Sequence, residues 1–216
     1  MYKPIWDDFA EDGEYSNWAN YCIQRPVKDL NGLEKEIELL VKEGAASIVE
    51  EALEECNKYL SGVDTTVYIF PSDPKDNHTK NYLRGVSGVN LGSGKILLSI
   101  NPTSENWKTF LPYVVAHEYH HSIWTDRNYE GNGITLLEYL VFEGRADSFA
   151  NIVYPNIKAP WTSAIQIDKE KKIWNKINQK LDNTDMNYSY KVMFGDNKEF
   201  PLSSGYTIGY NIVQAF

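Results

Sequence analysis

The chain has 216 residues, of which 42% are hydrophobic and 13% aromatic, and its formal net charge is -9. This composition is sufficient for a packed core and argues against a disordered chain. Lys and Arg number 21 against 30 Asp and Glu, and they form no basic cluster. Nucleic acid is therefore a poor candidate partner, because little would neutralise its phosphates.

The N-terminal stretch, MYKPIWDDFAEDGEYSNW, carries acidic residues where a signal peptide needs a positive start and an apolar run. No stretch of the sequence approaches the roughly 18 consecutive apolar residues of a membrane-spanning helix. We therefore expect a cytoplasmic protein with no membrane partner. Cys22 and Cys56 lie far apart without metal-site spacing, so buried thiols are the simplest interpretation.

Helical spacing of apolar residues predicts two helices between residues 29 and 60, separated by Gly44. The β-branched and aromatic residues of DTTVYIFP then predict a strand that stops at Pro71. A polar loop follows, in which we expect His78 to be solvated. The stretch GVSGVNLGSGKILLSINP predicts a hairpin with Lys95–Ile100 as its second strand.

The next helix carries three of the four histidines. We expect Thr103 or Ser104 to cap it, Pro112 to restart or kink it, and its end to lie near Thr125. A second, strongly apolar helix covers ITLLEYLVFEGRADSFANIVYP and stops at Pro155.

Two further helices are predicted towards the end of the chain. DKEKKIWNKINQKLD has the pattern of an amphipathic surface helix, and after a polar stretch SSGYTIGYNIVQAF predicts the start of another. Helices, a small sheet and again helices indicate a mainly helical α+β fold. We expect a single domain over residues 1–216, with an N-terminal helical part (1–62), a small antiparallel or mixed sheet (63–102) and a C-terminal helical part (103–216).

The stretch VVAHEYHHSIW contains the pattern H-E-x-x-H from His117 to His121. On a helix, this spacing puts the two imidazoles on one face, where they can bind one ion. Glu118 then lies beside the metal and can take a proton from a bound water. The alternative is a pair of core histidines satisfied by hydrogen bonds. His120 points about 100° away from His121, which favours a supporting or surface position.

A catalytic zinc needs three protein ligands and one open position. A third histidine six residues after His121 is excluded, because Trp124 and Arg127 stand where H-E-x-x-H-x-x-G-x-x-H needs Gly and His. Asp126 would lie one turn further on and point elsewhere. The third ligand must therefore come from another part of the chain.

Glu143 and Asp147 are four residues apart on one face of the second, apolar helix. Buried carboxylates are costly unless they bind a metal or are paired. We predict that Glu143 is the third ligand and that Asp147 holds the N–H of a ligating histidine. The small neighbours Gly144 and Ala146 would let this helix approach the histidine helix closely.

Other roles for these carboxylates remain open at this point. Glu143 could instead pair with an arginine such as Arg145 or Arg84. Glu138, one and a half turns earlier on a different face, is a competing ligand.

HExxH followed by Glu and Asp on a second helix resembles the gluzincin clan, which includes thermolysin. The segments HEYHH, FEGRAD and GYTIGY are similar to a family of predicted zinc-dependent proteases known as domain of unknown function 2268, over about residues 86 to 216. The resemblance implies a zincin-like domain with the sheet beside the HExxH helix and a peptide or protein substrate. It implies Zn²⁺ on His117, His121 and Glu143, with Glu118 as general base and Asp147 behind a ligand.

The oxyanion that develops during hydrolysis needs a further donor besides the metal. Thermolysin's catalytic histidine has no counterpart here, so Tyr206 and Tyr210 are the candidates, with Tyr206 slightly favoured and simple packing roles as the alternative. We nominate Lys95–Ile100 as an exposed edge that binds substrate, a core strand being the alternative.

The leading hypothesis is thus a zinc metallopeptidase. A metal-dependent hydrolase of a non-peptide amide or ester is an alternative within the enzymes, and a zinc-stabilised binding or regulatory module without turnover is an alternative outside them.

Overall fold

The computed structural model describes residues 29–128 and 133–216. It begins with two helices, α1 (Leu30–Lys42) and α2 (Ala45–Tyr59). Gly44 joins them with a left-handed φ of 76°, a conformation that glycine adopts without steric cost. The predicted helix pair and its break are confirmed. The thiol of Cys56 is free and buried in α2, and Cys22 lies outside the described residues.

Three strands, β1 (Thr66–Pro71), β2 (Val86–Asn90) and β3 (Lys95–Ile100), form a mixed sheet. Their order is β1-β3-β2, with β1 parallel and β2 antiparallel to β3. The predicted hairpin and small mixed sheet are confirmed. The expectation that β3 is an exposed edge is wrong, because β3 has a hydrogen-bonded neighbour on each side and its alternating apolar side chains are buried in the core.

The polar loop between β1 and β2 contains one π-helical turn, His78–Tyr82. The Asp76 carboxylate accepts hydrogen bonds from the backbone N–H groups of His78 and Thr79 and from the Thr79 hydroxyl. His78 is exposed, as expected, and its ring stacks on Tyr82.

The histidine helix, α3 (Trp107–Asn128), is continuous, and it both begins and ends later in the chain than predicted. The expected caps are wrong because those hydroxyls bond elsewhere: Thr103 donates to the side chain of Asn101, and Ser104 to the carbonyl of Lys80. Pro112 does not start a new helix but lies within α3, whose end is three residues beyond Thr125.

Four helices and two short 3-10 turns follow in the described chain. They are α4 (Leu136–Val153), a 3-10 turn (Pro160–Ser163), α5 (Ile167–Ile177), a second 3-10 turn (Asn178–Lys180), α6 (Met186–Phe194) and α7 (Ser204–Gln214). The predicted apolar and amphipathic helices correspond to α4 and α5, and the last predicted helix to α7. Helix α6 lies in the polar stretch between the two predicted C-terminal helices, where no helix was predicted.

Apolar side chains gather in two main clusters. The first joins α2, α3 and the buried face of β3, and the second joins α4, α5, α6 and α7. The ring of Tyr206 on α7 packs against both clusters, so α7 links the two halves of the fold. None of the described helices combines the length and apolar character needed to cross a membrane.

Candidate metal centre

Two imidazoles and one carboxylate converge where α3 crosses α4. The Nε2 atoms of His117 and His121 are 3.0 Å apart, and Glu143 Oε2 lies 3.2 Å from the first and 3.3 Å from the second. All three side chains are buried. Within residues 29–128 and 133–216, they form a group that could hold a metal ion.

The size of this triangle fits a zinc ion. Ligand atoms at about 2.0–2.1 Å from a tetrahedral zinc lie about 3.3–3.4 Å from one another, close to the observed separations of 3.0, 3.2 and 3.3 Å. Two imidazoles and one carboxylate are also a donor set that zinc favours in catalytic sites.

The hydrogen-bond partner of His117 Nδ1 indicates which ring nitrogen carries the proton. Its Nδ1 lies 3.2 Å from Asp147 Oδ1, so the ring proton belongs on Nδ1, where it can be donated to the carboxylate. The Nε2 atom then presents a lone pair to Glu143 Oε2 at 3.2 Å. In this buried site, the two atoms need either a proton on Nε2 or a metal ion between them.

The charge of the site supports the same conclusion. Burial raises the pKa of Glu143, but the imidazoles of His121 and His117 outweigh burial and hold this pKa at about 2. The carboxyl is therefore ionised and suited to bind a cation. Burial also lowers the pKa of His117, whereas Asp147 and Glu143 raise it well above the usual range. The pocket thus favours positive charge between its ligands.

The Asp147 carboxylate is fully buried and is held from two further directions. Its Oδ1 accepts the indole N–H of Trp161 at 2.8 Å and the hydroxyl of Tyr113 at 3.1 Å. The turn that carries Trp161 is fixed by Thr207 of α7, whose hydroxyl donates to the Trp161 carbonyl. Sequence reasoning missed both donors. Tyr113 could have been found from its position one turn before His117, but no local signal marks Trp161.

Ring stacking orients the second histidine. The Phe142 ring lies 3.9 Å from the imidazole of His121, with an interplanar angle of 22°. Phe142 in turn contacts Trp124 on α3. Phe142 is a further supporting residue that the sequence pattern did not single out.

Glu118 is buried beside the ligand triangle and faces β2. Burial raises the pKa of its carboxyl above the usual value, while the positive charge of His117 and His121 and a hydrogen bond from the Asn90 backbone lower it; the net shift is upward. Gly88 of β2 is in direct contact with the Glu118 side chain. The Glu118 carboxyl, the candidate general base, therefore lies between the ligand triangle and β2.

Three other candidates lie away from the triangle. Glu138 is exposed and completes a capping box with Thr135 at the start of α4. Asp126 is exposed and accepts a hydrogen bond from the Ser93 hydroxyl. His120 is buried, not on the surface, and packs on Phe149; burial and then the charge of His121 lower its pKa to about 3, which leaves it neutral.

The arginine pairings considered for Glu143 are not seen among the described residues. Its carboxylate is instead paired with the two histidines, and Arg145 and Arg84 have exposed side chains.

The two candidate tyrosines differ in their surroundings. Burial raises the pKa of Tyr206 well above its usual range, and the carboxylates of Glu143, Asp147 and Glu118 raise it further. The phenol of Tyr206 is thus close enough to these carboxylates for their charge to affect it, and it stays protonated. Burial also raises the pKa of Tyr210, but Asp147 is the site carboxylate that acts on it.

Tyr139 is a candidate that sequence reasoning missed. It lies one turn before Glu143 on α4, and burial followed by the charge of Glu143 raises the pKa of its phenol. Its ring faces Tyr190 of α6. Its spacing of four from Glu143, on the face that also carries Asp147, could have identified it.

The expected role of Gly144 is corrected. A Cβ on Gly144 would lie 2.1 Å from the carbonyl oxygen of Gly209, so this glycine makes room for α7 and not for the histidine helix. The close approach of α4 and α7 brings Tyr206 to the site.

The chain matches the family described as "Predicted Zn-dependent protease (DUF2268)" over residues 45–216. Among curated proteins, it is 26% identical over 208 residues to the "Uncharacterized protein YjfC" of Bacillus subtilis (strain 168), a match that covers 88% of this chain and 68% of that protein. No solved structure matches the chain. Because the family match spans well over half of the sequence, the chain belongs to this family of predicted zinc-dependent proteases.

Proposed function

We propose that the protein is a gluzincin-like zinc peptidase that hydrolyses peptide bonds, with His117, His121 and Glu143 as metal ligands. The observation that carries this proposal is the convergence of three buried ligand atoms, His117 Nε2, His121 Nε2 and Glu143 Oε2, which lie 3.0, 3.2 and 3.3 Å from one another. One metal ion can bind all three atoms at once. The family description, which names zinc and protease activity, agrees with this chemistry.

The reaction needs a base, a donor for the oxyanion and a means of holding the peptide. A bound zinc ion would supply Lewis acidity and bring the pKa of a ligated water close to 7. Glu118 accepts the proton of the attacking water and delivers it to the leaving amine as the C–N bond breaks. The Tyr206 hydroxyl donates to the oxygen that gains negative charge.

Within residues 29–128 and 133–216, no strand pairs with the outer edge of β2, and this edge is the best candidate for holding an extended substrate. In an antiparallel pair, residues that hydrogen-bond to the partner strand alternate with residues that do not. Leu91 N–H donates to the Lys95 carbonyl and Asn101 N–H to the Gly85 carbonyl, so the N–H and C=O of Gly88 point away from β3. A peptide could therefore pair with β2 beside Glu118, as in other cases of strand addition. The cytoplasmic location expected from the sequence stays a prediction.

Glu118→Gln is the variant that tests this function. It should retain the metal of the wild type, measured by mass spectrometry, and lose roughly 10²–10⁴-fold of the rate on a peptide library. Glu138→Gln is the matched control, since Glu138 is exposed and glutamine preserves its capping box. Undiminished peptide hydrolysis by Glu118→Gln would refute the mechanism. Wild-type turnover of esters or non-peptide amides alone would assign the site to another hydrolase class.

A further inference from the structure

The contact between Gly88 and Glu118 is too close for any side chain larger than hydrogen at position 88. A Cβ there would lie 2.5 Å from Cγ, 2.7 Å from Oε1 and 2.9 Å from Cδ of Glu118. Real Cβ atoms do not come this close to another heavy atom. The backbone of Gly88 is not in the left-handed region, so conformation does not require a glycine there.

The hairpin that carries Gly88 cannot easily retreat from α3. The Ser122 hydroxyl, buried in α3, accepts the N–H of Gly94 at 2.7 Å and donates to the carbonyl of Gly92. The side chain of Asn90 donates to Thr125 at 2.9 Å. These bonds fix the turn and the last residue of β2 against the helix.

The side chain of Glu118 is the part of this contact that can move. It has three rotatable bonds, and its carboxyl end makes two of the three close contacts. An added methyl group at position 88 would therefore displace the carboxylate and leave the backbone where it is.

We infer that Gly88 is a positioning residue for Glu118: its missing side chain leaves the space in which the carboxylate is held between β2 and the ligand triangle. This inference rests on the proposed function, because it concerns the base of that reaction. Strand β2 would then have two roles, substrate binding and the positioning of Glu118. The strand limits where the base can be.

Gly88→Ala tests this inference, with Ser87→Ala as the matched control on the opposite face of the same strand. Gly88→Ala should keep the metal content and the melting temperature of the wild type and lower kcat about 100-fold, with a much smaller change in KM. Ser87→Ala should leave all four quantities unchanged. An unaltered kcat in Gly88→Ala would overturn the inference.

A double-mutant cycle separates positioning from a general effect on the strand. Glu118→Asp shortens the base by one methylene and makes room at position 88. In that background, Gly88→Ala should cost less than threefold in kcat. If the loss is as large as in the wild type, Gly88 acts independently of Glu118 and the inference is wrong.

A crystal structure of Gly88→Ala gives a readout that does not depend on turnover. We expect the Glu118 carboxylate to be displaced from its position beside residue 88 while the ligand triangle is unchanged. A carboxylate that keeps its place would overturn the inference even if the enzyme proves inactive. Wild type that hydrolyses no peptide, amide or ester, together with a displaced Glu118, would refute the proposed function and leave the geometric inference standing.

Discussion

Gly144 on α4 and Gly209 on α7 lie where the two helices are packed so closely that neither position has room for a side chain. A Cβ on Gly144 would lie 2.1 Å from the Gly209 carbonyl oxygen, and a Cβ on Gly209 would lie 2.1 Å from the carbonyl oxygen of Leu140. Both clashes are with backbone atoms, which cannot move aside without separating the helices. The contact therefore sets the distance at which α7 presents its tyrosines to the site.

Gly144→Ala should destabilise the protein by about 1–3 kcal/mol, as overpacking does in tight cores. In an unobstructed helix, the same change stabilises by about 1 kcal/mol, so the sign of the effect is diagnostic. Chemical denaturation measures the change in unfolding free energy. Gly133→Ala is the control, because nothing lies within 4 Å of the added Cβ. A stabilised Gly144→Ala variant would contradict the close packing of α4 and α7.

Alanine in place of His117, His121 or Glu143 should remove the bound metal, since each change leaves two protein ligands where a catalytic zinc uses three. Metal content after purification without chelator measures this loss. His78→Ala should keep full metal content, because His78 is exposed and stacks on Tyr82, away from the triangle. Full occupancy in Glu143→Ala would show that the third ligand is misassigned.

Asp147→Asn should weaken metal binding about 10–100-fold, the usual cost of removing the acceptor behind a histidine ligand. Trp161→Phe keeps an aromatic ring but removes the indole N–H that donates to Asp147 Oδ1 at 2.8 Å. We expect it to weaken metal binding less than Asp147→Asn does. Competition with a zinc chelator measures both affinities. Equal affinity in Asp147→Asn and wild type would mean that the Asp147 contact does not orient His117.

Tyr206→Phe should lower kcat about 10²–10³-fold with little change in KM, as expected for a donor to the oxyanion. Tyr210→Phe is the natural comparison, because Tyr210 lies one turn further along α7. Asp147 raises the pKa of Tyr210, whereas Glu143 is the first carboxylate that raises the pKa of Tyr206. Steady-state kinetics on one peptide measure both variants. A larger loss in Tyr210→Phe would reverse the assignment, and a loss confined to Tyr139→Phe would transfer the role to α4.

Acid stability should depend on Asp196, whose carboxylate accepts the backbone N–H groups of Lys198, Glu199 and Phe200. These bonds, that of Phe200 first, lower the pKa of Asp196 from 3.8 to about 2. Because the folded-state pKa is the lower one, the stabilisation is complete above about pH 4 and is lost as the pH falls towards 2.

Unfolding free energies of wild type and Asp196→Asn, measured across this pH range, test the effect. The difference between the two proteins should be largest above pH 4 and shrink below it. Asp182→Asn, at an exposed aspartate, should show no such convergence. A difference that is constant with pH would mean that the charge of Asp196 is not what stabilises the loop.

Local spacing was enough to locate the core of the candidate site. His117 with His121, and Glu143 with Asp147, are both four residues apart, and this spacing fixes a shared helical face wherever the helix lies in the fold. Polar residues in otherwise apolar helices marked the same positions. Tyr139 obeys the same rule and could have been identified.

Contacts between distant segments could not be predicted in this way. The order of strands in a sheet is not contained in the pattern of any single strand, and β3 was therefore mistaken for an edge although its neighbours are β1 and β2. The Trp161 indole reaches Asp147 from a turn that α7 supports. Gly88 likewise acquires its importance only from the helix that packs on it.

The parts of the site leave the ribosome in the order in which they lie along the chain, so α7 follows α3 and α4. Chains emerge from the N-terminal end first, so the ligands on α3 and α4 are available while Tyr206 and the support for the Trp161 turn are still to be made. The metal ligands can thus come together during synthesis. The Tyr206 hydroxyl and the supported Trp161 N–H are in place only after α7 has been translated. The activity proposed for this site would accordingly require that α7 has been translated and has packed against α4.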